Sequence, residues 1–248
     1  MDLGLTDRRA IVAASTAGLG FGAAAALVAE GARVAICGGT TDEVARAAAR
    51  LGPAAYPIDA DVSTVDGARR FVEHGIDALG GVDILIANGG GPPTGTFATT
   101  ELEAYAPAIE KNLLAVVAMC QTALPLLRAQ RWGRVIAVTS VSVRQPLPKM
   151  ILSNTARAGV TGFLKTVALE VAADGVTVNS VQPGLHDTEG IRRRYGDDIS
   201  EPVAEVPAGV AGDPADFGAV VAFLCSEQAR FVTGAHLPID GGTHRGLM

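Results

Sequence analysis

The stretch Val12-Ala13-Ala14-Ser15-Thr16-Ala17-Gly18-Leu19-Gly20 joins a short apolar run to an Ala-rich, helix-forming segment. Residues 9–14 read as a buried strand and residues 19–29 as a helix stopped by Gly31. Gly18 and Gly20 sit where the chain turns into the helix and where backbone must come close to a ligand. Free N–H groups at such a helix start favour an anion such as a pyrophosphate. A glycine pair alone also fits an ordinary strand-to-helix turn. Its place after the first strand, the switch point of a doubly wound sheet, is what points to a nucleotide.

Working outward, the same alternation repeats. Strand-like runs at 33–37, 54–58, 82–87, 133–139, 176–181 and 236–239 alternate with helical patterns at 42–51, 64–78, 102–128, 152–173 and 214–226. Pro107 and Pro125 fall near the ends of 102–128 or kink it, and Asp213-Pro214 reads as a cap and first turn. Strands separated by helices imply crossovers, hence an α/β fold with a parallel sheet of about seven strands and helices on both faces. No Pro/Ser-rich linker divides the chain, so 1–248 is expected to be a single domain. The region 184–213 is long, polar and patternless apart from 191–195, which marks 185–212 as a substrate lid.

Composition narrows the function classes. The 248 residues are 48% hydrophobic and 19% charged, with a net charge of −6. That is the reverse of a disordered chain. A pI near 5.2 argues against nucleic acid as a partner, and Arg192-Arg193-Arg194 is the only basic triplet. No run of about 18 apolar residues predicts a transmembrane helix. Arg8-Arg9 before an apolar stretch imitates an export signal, but cleavage there would remove the central strand. Cys37, Cys120 and Cys225 are far apart, odd in number and set in apolar segments, so they read as reduced core residues of a cytoplasmic protein. There is no His-Glu-x-x-His and no zinc-spaced Cys pair, so no metal is expected.

Other segments fall at the carboxyl ends of later strands: Asp61-Val62, Ala87-Asn88-Gly89-Gly90-Gly91, Val138-Thr139-Ser140, Gln182-Pro183-Gly184 and Ile239-Asp240-Gly241-Gly242. Asn112 lies in the helix between the fourth and fifth strands. In this order, over essentially all 248 residues, the chain resembles the short-chain dehydrogenase/reductase family. The resemblance implies a seven-stranded Rossmann-type doubly wound sheet binding NAD(H) or NADP(H). It implies that Ser15, Gly18, Leu19 and Gly20 line the pyrophosphate and ribose, and that Asp61 and Val62 flank the adenine. Asn88 and Gly89 would hold the adenosine ribose side, and Pro183, Gly184 and Thr188 would meet the nicotinamide end. The family's loop usually opens Thr-Gly where this chain has Ala13-Ala14, so a slightly different turn is expected. Residues 37–41 offer no acid to the adenosine ribose, which favours NADP, although the usual basic residues are also missing. Thr40 and Thr41 would bond a phosphate or cap the following helix.

The departure lies in the catalytic helix. Enzymes similar to this one use a Tyr as proton donor, a Lys four residues later and a Ser thirteen residues before the Tyr, with an Asn in the preceding helix completing a relay. Ser140 and Asn112 are in place, but the pair has become Ser153 and Arg157. A Ser hydroxyl is a far weaker acid than a phenol yet still donates a hydrogen bond. Arg157 keeps a charge that could hold ribose hydroxyls and cannot release its proton. Four side chains stand as replacements: His186, with a near-neutral pKa two residues past Gly184; Tyr195 on the lid; Lys149, supplying charge near substrate; and Asp187.

The expected activity is therefore an NAD(P)(H)-dependent oxidoreductase acting on a carbonyl/alcohol substrate through an altered site. The alternatives are a cofactor-binding fold turned to non-redox chemistry, an isomerase or lyase, and a catalytically silent nucleotide sensor or scaffold. The resemblance further implies a homo-oligomer, dimer or tetramer, paired through helices 102–128 and 152–173.

Overall fold

The computed structural model describes residues 1–247. Its strands are β1 (Arg9–Val12), β2 (Arg33–Ile36), β3 (Ala55–Pro57), β4 (Ile84–Ala87), β5 (Gly133–Val138), β6 (Val176–Pro183) and β7 (His236–Ile239). They form one parallel sheet in the order β3-β2-β1-β4-β5-β6-β7. The order reverses between β1 and β4, which opens a crevice at their carboxyl ends.

The helices are α1 (Gly18–Ala29), α2 (Thr41–Leu51), α3 (Val65–Leu79), α4 (Tyr105–Ile109), α5 (Ala115–Ala129), α6 (Ile151–Val171), α7 (Glu189–Tyr195), α8 (Ser200–Ala204) and α9 (Pro214–Cys225). Helices α1, α2 and α9 cover one face of the sheet, where Ala10, Val12, Ile84 and Ile86 point. Helices α3, α5 and α6 cover the other, over Ile11, Leu85, Val135 and Val178. Burial on both faces is why the strands read as continuous apolar runs rather than alternating ones.

Two stretches differ from their sequence reading. The expected single helix at 102–128 is a 3-10 turn, then α4, then a π-helical turn (Glu110–Leu114), then α5. Taken together, Leu102–Ala129 is 28 residues long with a mean hydropathy of 1.4 in its most apolar window, long and apolar enough to cross a membrane by length and composition alone. No such helix was expected from the sequence. Ala115, Ala118, Met119, Cys120, Ala123 and Leu127 lie in the core against α3 and the sheet, so packing accounts for part of this apolarity, while Leu102, Leu114 and Leu126 are exposed. The region 185–212 is not structureless: it carries α7 and α8, and its two ends pair, Asp187 N–H to the Gly212 carbonyl (2.9 Å) and Gly212 N–H to that of Leu185 (2.9 Å).

Helices α1 and α9 cross backbone to backbone. A Cβ on Gly218 would overlap the Gly22 carbonyl, and one on Gly22 the Pro214 carbonyl. Neither carbonyl can move without moving its helix. Gly218→Ala is therefore expected to lower unfolding stability by about 2–3 kcal/mol, read as a shift of the urea midpoint at unchanged slope.

The amino ends of the strands are tied by Asp83, which is 5% exposed. Its carboxylate accepts from Arg9 backbone N–H (2.8 Å), Arg9 Nε (2.8 Å), Arg9 Nη2 (2.9 Å) and Gln130 Nε2 (3.2 Å). Burial pushes the Asp83 pKa up, but the Arg9 side-chain and backbone bonds and the charges of Arg9 and Arg8 outweigh it, and the net shift is downward. Stability from this group is thus complete above the unfolded carboxylate pKa of about 3.9 and is lost as pH falls through the depressed folded value. Asp83→Ala, which leaves Arg9 without its partner, is expected to cost about 3–5 kcal/mol at neutral pH. That difference from wild type should shrink in acid denaturation series below the unfolded value.

Candidate active site at the carboxyl edge of the sheet

The loop between β1 and α1 is held from several sides. Ser15 is fully buried: its N–H donates to the Cys37 carbonyl (2.8 Å) and its hydroxyl to that of Val12 (2.6 Å). Both donors are engaged inside the turn, so Ser15 shapes the loop. Asn88, at the end of β4, donates from Nδ2 to the carbonyls of Ala14 (3.0 Å) and Ala13 (3.3 Å). Its side chain is thereby tied to the loop, and any ribose contact expected of it would come on top of that role.

Ala14 does not adopt a backbone suited to a non-glycine residue. Ala14 takes φ 47°, the left-handed region that favours glycine, at a cost of about 1–2 kcal/mol offset by the Asn88 clamp.

Helix α1 begins at Gly18 with Ala17 at its cap, which offers no side-chain acceptor. By contrast α2, α3, α7 and α9 are capped by Thr40, Thr64, Thr188 and Asp213. The N–H groups of the first turn at Gly18, Leu19 and Gly20 are left for an anion. A Cβ on Gly20 would overlap the Ala14 carbonyl oxygen and stand 2.7 Å from Asn88 Nδ2, so only glycine preserves this cradle. Over it, the Thr188 methyl lies 3.4 Å from where a Gly18 Cβ would stand, which places the start of the lid on the loop. These features fit a dinucleotide pyrophosphate.

Along the rim, Asp61 accepts from the Ser63 N–H (2.9 Å) and hydroxyl (2.8 Å), which hold its carboxyl below the usual range. Val62 packs partly buried against the core. The Thr40 hydroxyl is engaged as the cap of α2, accepting from Glu43 N–H (3.3 Å); the Thr41 hydroxyl donates to Asp59 (3.2 Å). Pro183 ends β6, and Gly184 follows with its N–H on the Ile239 carbonyl (2.9 Å). The Cys37 thiol, pushed up to about 12 by burial, is not a nucleophile.

At the substrate end, Ser140 follows β5 and its hydroxyl accepts from Ser142 N–H (3.1 Å). Ser153, on α6, is 3% exposed, and its hydroxyl has no hydrogen-bond partner among the described residues. Asn112 is buried within the π-helical turn, its Nδ2 donating to Ala108 (3.2 Å). A π turn shifts the register of the helix and commonly marks a functional position.

Arg157 departs from its expected role. Nη1 donates to the carbonyls of Val138 (2.7 Å) and Thr139 (3.0 Å), and Nη2 reaches that of Gly89 (3.5 Å). The guanidinium thus pins the ends of β4 and β5, immediately beside Ser140, rather than being free for ribose hydroxyls. Burial lowers its pKa to about 10, so it remains charged at neutral pH.

His186 is also a correction. It is 3% exposed, with its ring edge-on to Phe217 at 5.3 Å and Nδ1 on the Gly184 carbonyl (3.3 Å). Burial lowers its pKa. Packed between the lid base and α9, it is a structural side chain and not a proton donor to substrate. Asp187 is engaged by Arg192 (2.6 Å). Tyr195 is half exposed at the end of α7, and Lys149 is exposed just before α6.

A doubly wound parallel sheet with an uncapped glycine loop at its switch point defines a dinucleotide-binding fold. Residues 13–244 match the family described as enoyl-(acyl carrier protein) reductase. The chain is 32% identical over 242 residues to 3-oxoacyl-(acyl-carrier-protein) reductase of Vibrio cholerae, spanning 98% of this chain and 99% of that one. It is 30% identical over 249 residues to L-rhamnose 1-dehydrogenase (NAD(P)(+)) of Azotobacter vinelandii, spanning 96% and 97%. The crystal structure of L-sorbose reductase from Gluconobacter frateurii, complexed with NADPH and L-sorbose, matches all of both chains with a TM-score of 0.93 at 28% identity. The chain belongs to the short-chain dehydrogenase/reductase family.

Proposed function

We propose that this chain is an NAD(P)(H)-dependent oxidoreductase acting on a carbonyl/alcohol substrate through an altered site, with Ser153 and Arg157 where the family's usual Tyr and Lys stand. The observation that carries it is the intact cradle: an uncapped α1, a Gly20 position that admits no Cβ, and Asn88 fixing the loop. The bound cofactor supplies or accepts the hydride. Ser140 and Ser153 donate hydrogen bonds to the substrate oxygen, and Arg157 holds the Val138–Thr139 backbone that sets the Ser140 hydroxyl. Since neither serine is an acid at neutral pH and His186 is packed away, the proton comes from solvent. Rates below those of a phenol-bearing site are the consequence.

The neutral stretch 37–41 and the NADPH of L-sorbose reductase favour NADP(H). Glu43 opposes this, its Oε2 standing 3.0 Å from where a Gly39 Cβ would be, so both NADP(H) and NAD(H) are expected to bind. Isothermal calorimetry with each cofactor, followed by turnover with a carbonyl panel, tests the reading. Cofactor binding without any turnover would leave the non-redox or sensor reading in its place.

The protein is also proposed to be a cytoplasmic homo-oligomer, a dimer or tetramer. Leu114 and Leu126 on the 102–129 stretch and Leu169 on α6 are exposed, and the three thiols are free. Light scattering should give a multiple of the 25.2 kDa chain mass; a monomer contradicts the assembly.

A further inference from the structure

Lys111 has no part in the site as the sequence describes it, yet it stands in the crevice. It lies within the π-helical turn, one residue before the buried Asn112. Its side chain runs to the loop that follows β4. A Cβ on Gly90 would stand 3.3 Å from Lys111 Nζ and 3.6 Å from its Cε. Lys111 is half-buried and Gly90 is exposed, so the ammonium sits where the crevice opens to solvent. It has neither a hydrogen-bond acceptor nor an ion-pair partner among the described residues.

The acids around it are occupied. Asp61 accepts from the Ser63 N–H (2.9 Å) and hydroxyl (2.8 Å), and these bonds, with a smaller effect from the charge of Lys111, hold its carboxyl low. Glu110, the preceding residue, accepts from the Val65 N–H (3.3 Å). Asp59 accepts from the Thr41 hydroxyl (3.2 Å), and Asp66 is paired with Arg69 (3.3 Å). An ammonium offers three donors and no acceptor, so a ligand entering the crevice meets Lys111 as an unspent point charge.

The half of a dinucleotide that it meets follows from the order of the strands. The cradle lies over β1 and β4, where a Cβ on Gly20 would stand 2.7 Å from Asn88 Nδ2. With the reacting end at Ser140 and Ser153, after β5 and on α6, the other half runs toward β2 and β3. Lys111 lies on that side: its amine is at Gly90, two residues beyond Asn88, and its charge reaches Asp61, which follows β3. Resting on the NAD(P)(H)-dependent reading above, we propose that Lys111 is a further cofactor-binding residue, its ammonium donating to oxygen acceptors of the adenosine half, the ribose hydroxyls or a 2′-phosphate. It supplies the positive charge that residues 37–41 lack.

The test is calorimetry on the full chain with NADPH, NADH and ADP-ribose, comparing Lys111→Met, Lys111→Arg and, as a charge control, Arg128→Gln. Arg128 lies in the last turn of α5, at the amino edge of the sheet, and is paired with Asp174 (2.7 Å). Lys111→Met is expected to weaken NADPH binding about tenfold or more, the size of one charge-assisted hydrogen bond, by a factor that shrinks as salt rises. Lys111→Arg should restore most of the affinity, and Arg128→Gln should leave it unchanged. An equal loss for NADPH, NADH and ADP-ribose would place the contact on the ribose hydroxyls; a loss confined to NADPH would place it on the 2′-phosphate. Weakened binding in Lys111→Met, with no carbonyl reduced by wild type, would uphold the role of Lys111 and defeat the oxidoreductase reading. Affinities unmoved by Lys111→Met, a loss reproduced by Arg128→Gln, or no dinucleotide bound by wild type would overturn the proposal.

Discussion

Gly20→Ala is expected to abolish dinucleotide binding, raising the dissociation constant at least a hundredfold. The added methyl would overlap the Ala14 carbonyl and crowd Asn88 Nδ2, and both are already fixed by the bond between them (3.0 Å). Relief requires either α1 to move or the loop to leave the left-handed turn at Ala14. Either change redirects the N–H groups meant for the pyrophosphate, and losing several such charge-assisted bonds at about 1.5–3 kcal/mol each accounts for the size of the effect. Calorimetry reads the affinity; circular dichroism checks that the sheet remains. Unchanged affinity would show that the anion lies elsewhere.

The second large effect is a gain. Ser153→Tyr combined with Arg157→Lys is expected to raise carbonyl reduction by about 10²–10³, the usual contribution of a positioned general acid. The structure adds a condition. Arg157 spans the ends of β4 and β5 through three carbonyls, and a lysine has no fork with which to replace that bridge. Arg157→Lys alone is therefore expected to lose about 1–3 kcal/mol of stability and to misplace Ser140. Ser153→Tyr alone should supply the acid without disturbing the clamp. The three variants, compared by kcat and by urea midpoint, separate the two roles. If Ser153→Tyr reduces no carbonyl faster than wild type, the altered-site reading loses its basis.

The fold was legible because each segment carries its own period. The continuous apolar runs at 9–14 and 82–87 named strands buried on both faces, and the glycine loop named the switch point. Strand ends shifted by one or two residues, as at β1 and β4, because pairing with neighbours sets where a ladder stops. The π turn at 110–114 left no mark in the pattern, since its apolar residues remain compatible with an ordinary helix. The lid helices were missed for a different reason: α7 and α8 are both short, and α7 is stabilised by a cap at Thr188 and by local ion pairs rather than by an apolar stripe.

Site residues were legible by position and not by direction. Ser140, Asn112 and the glycines stand where sequence order put them. Arg157 and Ser15 are polar groups whose partners are backbone carbonyls, some of them far along the chain, and a carbonyl has no residue-specific signature. His186 read as a titratable group near the cofactor; its burial on Phe217 is set by the packing of α9, which lies about thirty residues further on. Lys111 carries no sequence signal of a role, and its reach to Gly90 shows only in the folded crevice.

In the proposed chemistry a hydride moves on a cradle that is whole, although Ser153 and Arg157 stand where the family's usual Tyr and Lys would. The direct measurement is transfer of deuterium from cofactor labelled at nicotinamide C4 to a carbonyl panel under single-turnover conditions, read by mass spectrometry of the products. Deuterium on the carbinol carbon of at least one product, faster with Ser153→Tyr, is the result predicted. Bound cofactor that keeps all its label in every reaction, with wild type and with Ser153→Tyr alike, would contradict it.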